Sequence, residues 1–342
     1  MPSERDKDRI VRRVNRLYHD RTQDAFERAH RERFGVQRSF WRQVGRIVLA
    51  DGDRDASRAG RVVVDLACGT GFVGRTLRPH LRDRDRLIAI DLSEGALDST
   101  KRRWMHEHDA PRTCGLACAA ADAQMLPLAG ASIDLLAMNA SLHHVPDPRT
   151  TLAEIDRVLR PGGFFALGFE PNRRHFHCAA TRRLSQVATR LHWYLSPAQN
   201  ARRCRARLAW AGPLLAFLPE GRHADQAGPS EAALFAMIND QLAREGLIDA
   251  PMPLPRLLDL VDPHARGDVH GGGLDPHDLL AGLLSAYEIR LLHCSDYLGE
   301  TTRFAPNLRR LVDAVFRTLL PRHGSQFSWL VRKPGVSWEK TS

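Results

Sequence analysis

Short, nearly continuous apolar runs punctuate the middle of the chain at residues 62–66, 87–90, 133–138 and 164–169, with helical patterns between them. Strands that read this way are buried on both faces, as in a parallel sheet covered by helices. Upstream, residues 5–34 predict one or two polar helices and residues 39–49 a short amphipathic one, followed by a charged linker at 50–60. Downstream, residues 173–270 contain helical patterns near 178–192, 198–209 and 230–245, broken repeatedly by proline. A stretch this long is not a plain loop, and it reads as an inserted helical subdomain. The α/β pattern then resumes with a helix at 276–286, a strand at 289–295, a helix at 307–320 and a strand at 326–331. The expected organisation is an N-terminal helical segment (1–60), an α/β core (61–172), a helical cap (173–270), completion of the core sheet (271–335) and a short tail (336–342).

Composition narrows the class. The 342 residues are 43% hydrophobic and 26% charged, ordinary for a soluble globular protein. No apolar run reaches the roughly 18 residues of a membrane helix, and the charged N-terminus lacks a signal-peptide core. The six cysteines are scattered without a CxxC pair, which fits a reducing cytoplasm. The net charge of +10 is unevenly placed: residues 1–61 carry +6, residues 173–222 carry +9, and the rest is negative. Basic segments of this kind attract anionic ligands, nucleic acid or acidic lipid surfaces. The chain is also rich in arginine and alanine, as a GC-rich genome would make it, and solvated surface is the plainer reading.

Candidate chemistry begins at Val62-Val63-Val64-Asp65-Leu66-Ala67-Cys68-Gly69-Thr70-Gly71, where a buried strand ends on an acid and turns through glycines into a helix at 72–77. Glycines let a backbone pass close to a ligand, and the helix beyond offers free N–H groups. Gly69, Gly71 and Gly74 also match GxGxxG, and Asp91 lies 20 residues past Gly71, as a dinucleotide site would have it. Asp65 separates the two readings. A strand-end acid would repel a pyrophosphate, whereas it suits a cationic ligand with an amino group and a sulfonium.

With these residues in place, segment 62–171 resembles the class I methyltransferases, in particular the broad type 11 group that includes quinone-biosynthesis and natural-product enzymes. VVVDLACGTG resembles the first motif and IAIDLSEGAL the acid-terminated second strand. AADAQMLPLAGASIDLLAMNASLHHVPD resembles the adenine segment and fourth strand, and LAEIDRVLRPGGFFAL the helix, Pro-Gly-Gly turn and fifth strand. The resemblance implies a Rossmann-like seven-stranded sheet with helices on both faces, and S-adenosylmethionine as cofactor, leaving as S-adenosylhomocysteine. It implies that Asp65, Ala67, Gly69 and Gly71 hold the methionine end and that Asp91, with Leu92, meets the ribose hydroxyls. Asp122 and Ala123 would meet adenine, Asn139 and His144 would approach the methionine moiety, and Tyr18 would stand where relatives close an N-terminal aromatic over the cofactor.

Methyl transfer needs orientation and exclusion of water, and a base only where the acceptor must lose a proton. His143 and His144 after the fourth strand, Glu170 at the end of the fifth and His270 in a glycine-rich stretch are the catalytic candidates. His175-Phe176-His177-Cys178 and His106-Glu107-His108-Asp109 lack a second ligand pair at characteristic spacing, so no metal is expected. In the insert, Trp193, Tyr194, Trp210, Leu214, Leu215, Phe217 and Leu218 could line an apolar pocket or form the cap's own core. Arg202, Arg203, Arg205 and Arg207 could hold an anionic or amphiphilic acceptor. The expectation is a cytoplasmic enzyme that methylates oxygen or nitrogen of a small molecule. Rival readings are an RNA methyltransferase using the basic segments, a quinone or lipid methyltransferase at a membrane surface, and a non-catalytic cofactor-binding scaffold.

Overall fold

A computed structural model describes residues 4–29, 31–50, 60–106, 114–195, 231–264, 272–282, 284–298 and 306–335. The described strands are β1 (Val62–Leu66), β2 (Arg86–Asp91), β3 (Gly115–Ala120), β4 (Ile133–Asn139), β5 (Leu159–Pro171), β6 (Glu288–Ser295) and β7 (Gln326–Arg332). They form one sheet in the order β3-β2-β1-β4-β5-β7-β6, parallel except for β7, which runs antiparallel to β5 and β6. This is the Rossmann-like seven-stranded α/β sheet that the sequence implies. The helices are α1 (Glu4–Ala29), α2 (Arg31–Val44), α3 (Phe72–Leu77), α4 (Glu94–His106), α5 (Pro148–Val158), α6 (Arg173–His177) and α7 (Ala179–Leu195). They continue with α8 (Glu231–Arg244), α9 (Leu254–Val261), α10 (Pro276–Ala281) and α11 (Pro306–Leu319).

Alternation along the central strands divides the apolar side chains between the two faces. Val64, Leu66, Leu136 and Met138 join a core with Ile155, Phe165 and Trp329. Val63, Leu135 and Ala137 join another with Phe40, Trp41 and Val44 of α2 and Leu77 of α3. The strands read as continuous apolar runs because both faces are covered. α5 starts on Asp147, whose side chain accepts the N–H groups of Arg149 and Thr150, with Pro148 in the first turn.

Several boundaries differ from expectation. β3 was not anticipated: its residues are Gly, Leu, Ala and Cys, and it lies at the sheet edge with no fully buried position. The Pro-Gly-Gly turn is absorbed into β5, where the register with β4 shifts between Ile133 and Leu135. A Cβ on Gly163 would meet the Arg160 and Ile133 carbonyl oxygens at 2.9 and 3.0 Å. α10 ends at Ala281, short of 286, and α2 runs to Val44 before a π-helical turn at Gly45–Ala50. The helix expected at 178–192 is α7, which the short α6 precedes. That expected at 198–209 lies outside the described residues.

The largest departure concerns how the N-terminal segment and the insert relate. Ile10, Val11, Val14 and Leu17 of α1 share one core with Leu234, Phe235, Ile238 and Leu242 of α8 and Leu257, Leu260 and Val261 of α9. Asn15 is buried in that interface and donates to the Leu260 carbonyl at 2.9 Å. The two segments, far apart in sequence, pack as one unit. No helix among the described residues is long and apolar enough to cross a membrane.

Phe165, fully buried and packed edge-on against Trp329 at 6.2 Å between ring centroids, anchors one face of the sheet. Phe165→Ala should lower stability by about 3–5 kcal/mol, whereas Leu311→Ala on exposed α11 should stay within about 0.5 kcal/mol. Urea melts of both variants check this.

Candidate active site

The carboxyl ends of β1, β2 and β4 and their following loops surround a cavity of about 500 Å³, with residues of α1 and the end of α9 completing the wall. β1 ends on Asp65, and the chain turns with positive φ at Ala67 and Gly69 before entering α3. Asp65 is buried and its Oδ2 accepts the Gly74 N–H at 2.8 Å. Burial pushes its carboxyl up to about 7; the Gly74 hydrogen bond and Arg75 oppose this, while neighbouring Asp91 adds to it. Asp91 accepts the N–H groups of Gly69 and Ser93, both at 2.9 Å, and burial raises its carboxyl as well. Among the described residues, neither acid forms a salt bridge.

The glycines divide the work differently from expectation. Gly69 lines the cavity, but Gly71 does not. A Cβ on Gly71 would meet Thr100 Cγ2 of α4 at 2.8 Å, and one on Gly74 would meet Leu87 at 2.7 Å. Their lack of a side chain serves the packing of the turn and α3 against α4 and β2.

α1 is tied across this end. Asp122 pairs with Arg12 Nε at 2.5 Å and accepts the Gln124 N–H at 2.9 Å, and Arg12 also donates to the Gln124 side chain. Ser93 Oγ donates to Asp20, and Arg16 pairs with Glu94 at 3.2 Å. Leu92, Ala123 and Tyr18 line the cavity, Tyr18 while stacked on Phe235. Asn139 lines it too, fixed from α2: Trp41 Nε1 donates to its Oδ1 at 2.8 Å, and its Nδ2 donates to Gln37 at 3.3 Å. A Cβ on Gly168 would strike both Trp41 and Asn139, so this clamp requires glycine there.

The other end is organised by Glu170. Its carboxylate, fully buried, accepts the N–H groups of Ser141 (2.7 Å), Leu142 (2.9 Å) and His143 (3.1 Å), and the Nδ1–H of the His143 ring (2.7 Å). Burial alone would raise Glu170, but the His143 ring and these donors hold it below the usual carboxylate range. Glu170 itself does not line the cavity; it lies beneath His143, which does. Because Nδ1 is the donor to Glu170, the His143 ring keeps its acceptor at Nε2, 4.0 Å from Asp262 Oδ1.

His144 Nδ1 donates to the Val261 carbonyl at 2.7 Å and lies 3.0 Å from Asp262 Oδ1. Burial lowers its tendency to protonate, but Asp262 and the carbonyl more than offset that and raise its pKa. His19 stands edge-on to His144 at 5.0 Å, and burial followed by the charge of His144 pushes it down to about 3. His143, His144 and Asp262 present ligand-type atoms within 4.8 Å of one another. The hydrogen bonds of the two rings already account for their orientation without an ion.

The expected site residues Tyr18, Asp65, Ala67, Gly69, Asp91, Leu92, Asp122, Ala123, Asn139, His143 and His144 therefore converge on one cavity. His270 lies outside the described residues, as do Trp210, Leu214, Leu215, Phe217, Leu218, Arg202, Arg203, Arg205, Arg207 and the side chains of Trp193 and Tyr194. Of the two clusters set aside as metal sites, His175 is buried against the His323 carbonyl and Ser185, and residues 107–109 of the other are outside the description. Sequence reasoning missed Arg12, His19, Gln37, Trp41 and Asp262. The apolar spacing of Leu257, Leu260 and Val261 is a helix signal that could have drawn attention to Asp262; nothing in the sequence links the others to the site.

Part of the chain is similar to known proteins. Residues 64–167 match the family described as Methyltransferase domain. An uncharacterized 37.1 kDa transposon protein of Streptomyces fradiae is 36% identical over 116 residues, 34% of this chain and 32% of that protein. The malonyl-[acyl-carrier protein] O-methyltransferase of Hahella chejuensis is 38% identical over 101 residues, 30% of this chain and 33% of that enzyme. The chain thus spans about a third of the length of these curated relatives. Among solved structures, the N-methyltransferase NodS of Bradyrhizobium japonicum, in complex with S-adenosyl-L-homocysteine, covers 87% of each chain at 13% identity and a TM-score of 0.40, a distant likeness. The match to the methyltransferase domain is confined to residues 64–167, and S-adenosylmethionine is the cofactor that it indicates.

A raised His144 pKa contributes stability that is fully present below the ordinary histidine value of about 6.5 and is lost as pH rises through the folded value. Asp262→Asn should lower the His144 pKa and remove that contribution. Ring-proton NMR titration of both proteins, with melts at pH 5.5 and 8, checks the sign.

Proposed function

We propose that this chain transfers a methyl group from S-adenosylmethionine to oxygen or nitrogen of a small-molecule acceptor. The observation that carries this reading is that one cavity holds two buried strand-end carboxylates and a histidine backed by a buried glutamate. The cavity fits the cofactor. Asp65 and Asp91 are costly to ionise where they lie, and a cationic ligand offsets that cost. Asp65 with Ala67 and Gly69 would hold the methionine end. Asp91, with Leu92 beside it, would take the ribose hydroxyls. Asp122 and Ala123 would meet adenine, with Tyr18 covering the site from α1, and Asn139, clamped by Trp41 and Gln37, would face the methionine moiety together with His144. When bound, the cofactor supplies a methyl group on a sulfonium, activated for in-line displacement.

The remaining chemistry belongs to the protein. His143 Nε2 accepts the proton of an acceptor hydroxyl or ammonium, and Glu170 stabilises the imidazolium that results. Phe169, Phe176, Val145, Pro146 and Pro171 give the cavity an apolar wall that excludes water. Arg12 and Arg16, the arginines among its described lining residues, are engaged with Asp122 and Glu94. This favours an acceptor without a strong negative charge at the His143 end. Cys68, Cys114, Cys118, Cys178 and Cys294 are free thiols, in keeping with a reducing, cytoplasmic setting.

His143→Ala should lower kcat by about 10²–10⁴-fold, the usual range for a general base, and leave S-adenosylhomocysteine affinity unchanged. Glu170→Gln should act in the same direction. A panel of phenols, catechols and amines with isotopically labelled S-adenosylmethionine reads this out; equal turnover by wild type and His143→Ala would remove the base. Asp91→Ala should weaken S-adenosylhomocysteine by about 1.5–3 kcal/mol, the scale of a hydrogen bond to a charged group. Calorimetry checks this, and undiminished affinity would place the ribose elsewhere.

A further inference from the structure

At the histidine end of the main cavity, two lining side chains present acceptor atoms side by side: His143, and Asp262 directly after α9. The His143 ring gives its Nδ1–H to Glu170 at 2.7 Å, which leaves Nε2 as an acceptor. Asp262 Oδ1 lies 4.0 Å from that nitrogen. His144 Nδ1 approaches the same oxygen at 3.0 Å. A carboxylate offers about four acceptor positions, however, so one imidazole does not exhaust it. Two acceptors at this spacing are bridged by one atom that donates to both through ordinary hydrogen bonds of about 2.9 Å. A hydroxyl has one hydrogen to give, whereas an ammonium has two or three.

The charge around the pair points the same way. Arg12 and Arg16, the arginines among the described lining residues, are engaged with Asp122 and Glu94. His143 must be neutral to act as a base, and burial pushes His19 down to about 3, so it is neutral as well. Of the lining histidines, only His144, which Asp262 raises, is left to carry a charge. The carboxylates of Glu170 and Asp262 therefore stand against at most one imidazolium from the lining. A cation suits this end, and a new anion does not.

We propose that the methyl acceptor is a primary or secondary amine, which enters as its ammonium ion and is held by Asp262 against His143. This rests on the methyltransferase reading of the cavity. His143 Nε2 takes one N–H proton, and the freed lone pair on nitrogen forms the bond to the methyl carbon. The carbon–sulfur bond breaks as that bond forms, and its electron pair stays on sulfur, which leaves as the neutral thioether of S-adenosylhomocysteine. Positive charge thus passes from sulfur to nitrogen, and the Asp262 carboxylate stabilises it as it develops. A hydroxyl would follow the opposite course, since loss of its proton puts negative charge beside Asp262, which opposes ionisation. Asp262 is in this way the residue that selects nitrogen over oxygen.

The test gives the full chain labelled S-adenosylmethionine with matched probes: benzylamine and benzyl alcohol, hexylamine and 1-hexanol, and tyramine, which carries an amine and a phenol in one molecule. Mass spectrometry locates the methyl group. Label should appear on nitrogen, including the nitrogen of tyramine. Asp262→Asn should raise the amine KM at least about tenfold, the scale of a lost hydrogen bond between charged groups. It should change kcat less than KM, and Asp262→Glu should recover part of the loss. S-adenosylhomocysteine binding by calorimetry shows that each variant is folded. Label on oxygen, an unchanged amine KM in Asp262→Asn, or no amine methylated by protein that binds S-adenosylhomocysteine would each overturn the inference. Failure of the wild type to bind S-adenosylhomocysteine at all would instead overturn the reading on which it rests.

Discussion

Two carboxylates, Asp65 and Asp91, are buried at the ends of adjacent parallel strands, Asp65 held by the Gly74 N–H of α3 and Asp91 by the N–H groups of Gly69, in the turn after β1, and of Ser93. Burial of an acid is expensive without compensation, and the surrounding architecture is what keeps both in place. β1 and β2 are fixed in register by the sheet, from Val62 opposite Arg86 to Leu66 opposite Ile90. The positive-φ turn at Ala67 and Gly69 aims the Gly69 N–H at Asp91, and the start of α3 aims the Gly74 N–H at Asp65. The missing side chain of Gly71 lets α4 approach the turn, and that of Gly74 lets α3 lie close against β2. Under the proposed function, a cationic cofactor would offset the cost of ionising Asp65, and ribose hydroxyls would take up Asp91.

The same economy of positioning recurs at the opposite end of the cavity. Glu170 collects three backbone N–H groups and one imidazole N–H, and so fixes the turn after β4 and the tautomer of His143 together. α1 then bridges the ends: Arg12 reaches Asp122, Asp20 takes the Ser93 hydroxyl, and His19 stacks edge-on against His144. Because α1 shares its core with α8 and α9, the cofactor end and the histidine end are enclosed by one helical unit whose parts lie more than 200 residues apart in sequence.

That distance explains what the sequence could and could not show. The buried strands announce themselves because Val62–Leu66 and Ile133–Asn139 are covered on both faces, and Asp65, Asp91, Asp122 and Asn139 sit at fixed offsets from them. β3 escaped notice because an edge strand of Gly, Leu, Ala and Cys has no β-branched or aromatic residue and no fully buried position. A turn glycine such as Gly71 has two uses, close approach to a ligand or close packing, and its packing against Thr100 is visible only in the fold. The place of Glu170 at the end of the fifth strand is legible, but its burial beneath His143 is not: the Phe169 backbone, at φ 58, is where the strand departs from regular alternation. Asp262, Trp41 and His19 enter the site through tertiary packing alone, which no local spacing encodes.

The central claim is that the Asp65 end of the cavity takes a cationic cofactor against a carboxylate that burial holds near pH 7. Its most direct test is calorimetric titration of S-adenosylmethionine into the full chain between pH 5.5 and 8, in buffers of different ionisation enthalpy. The account predicts binding accompanied by release of a proton below pH 7, with affinity rising up to about tenfold per pH unit until Asp65 is ionised. Absence of S-adenosylmethionine binding, or binding with no proton released and no pH dependence across that range, would contradict it.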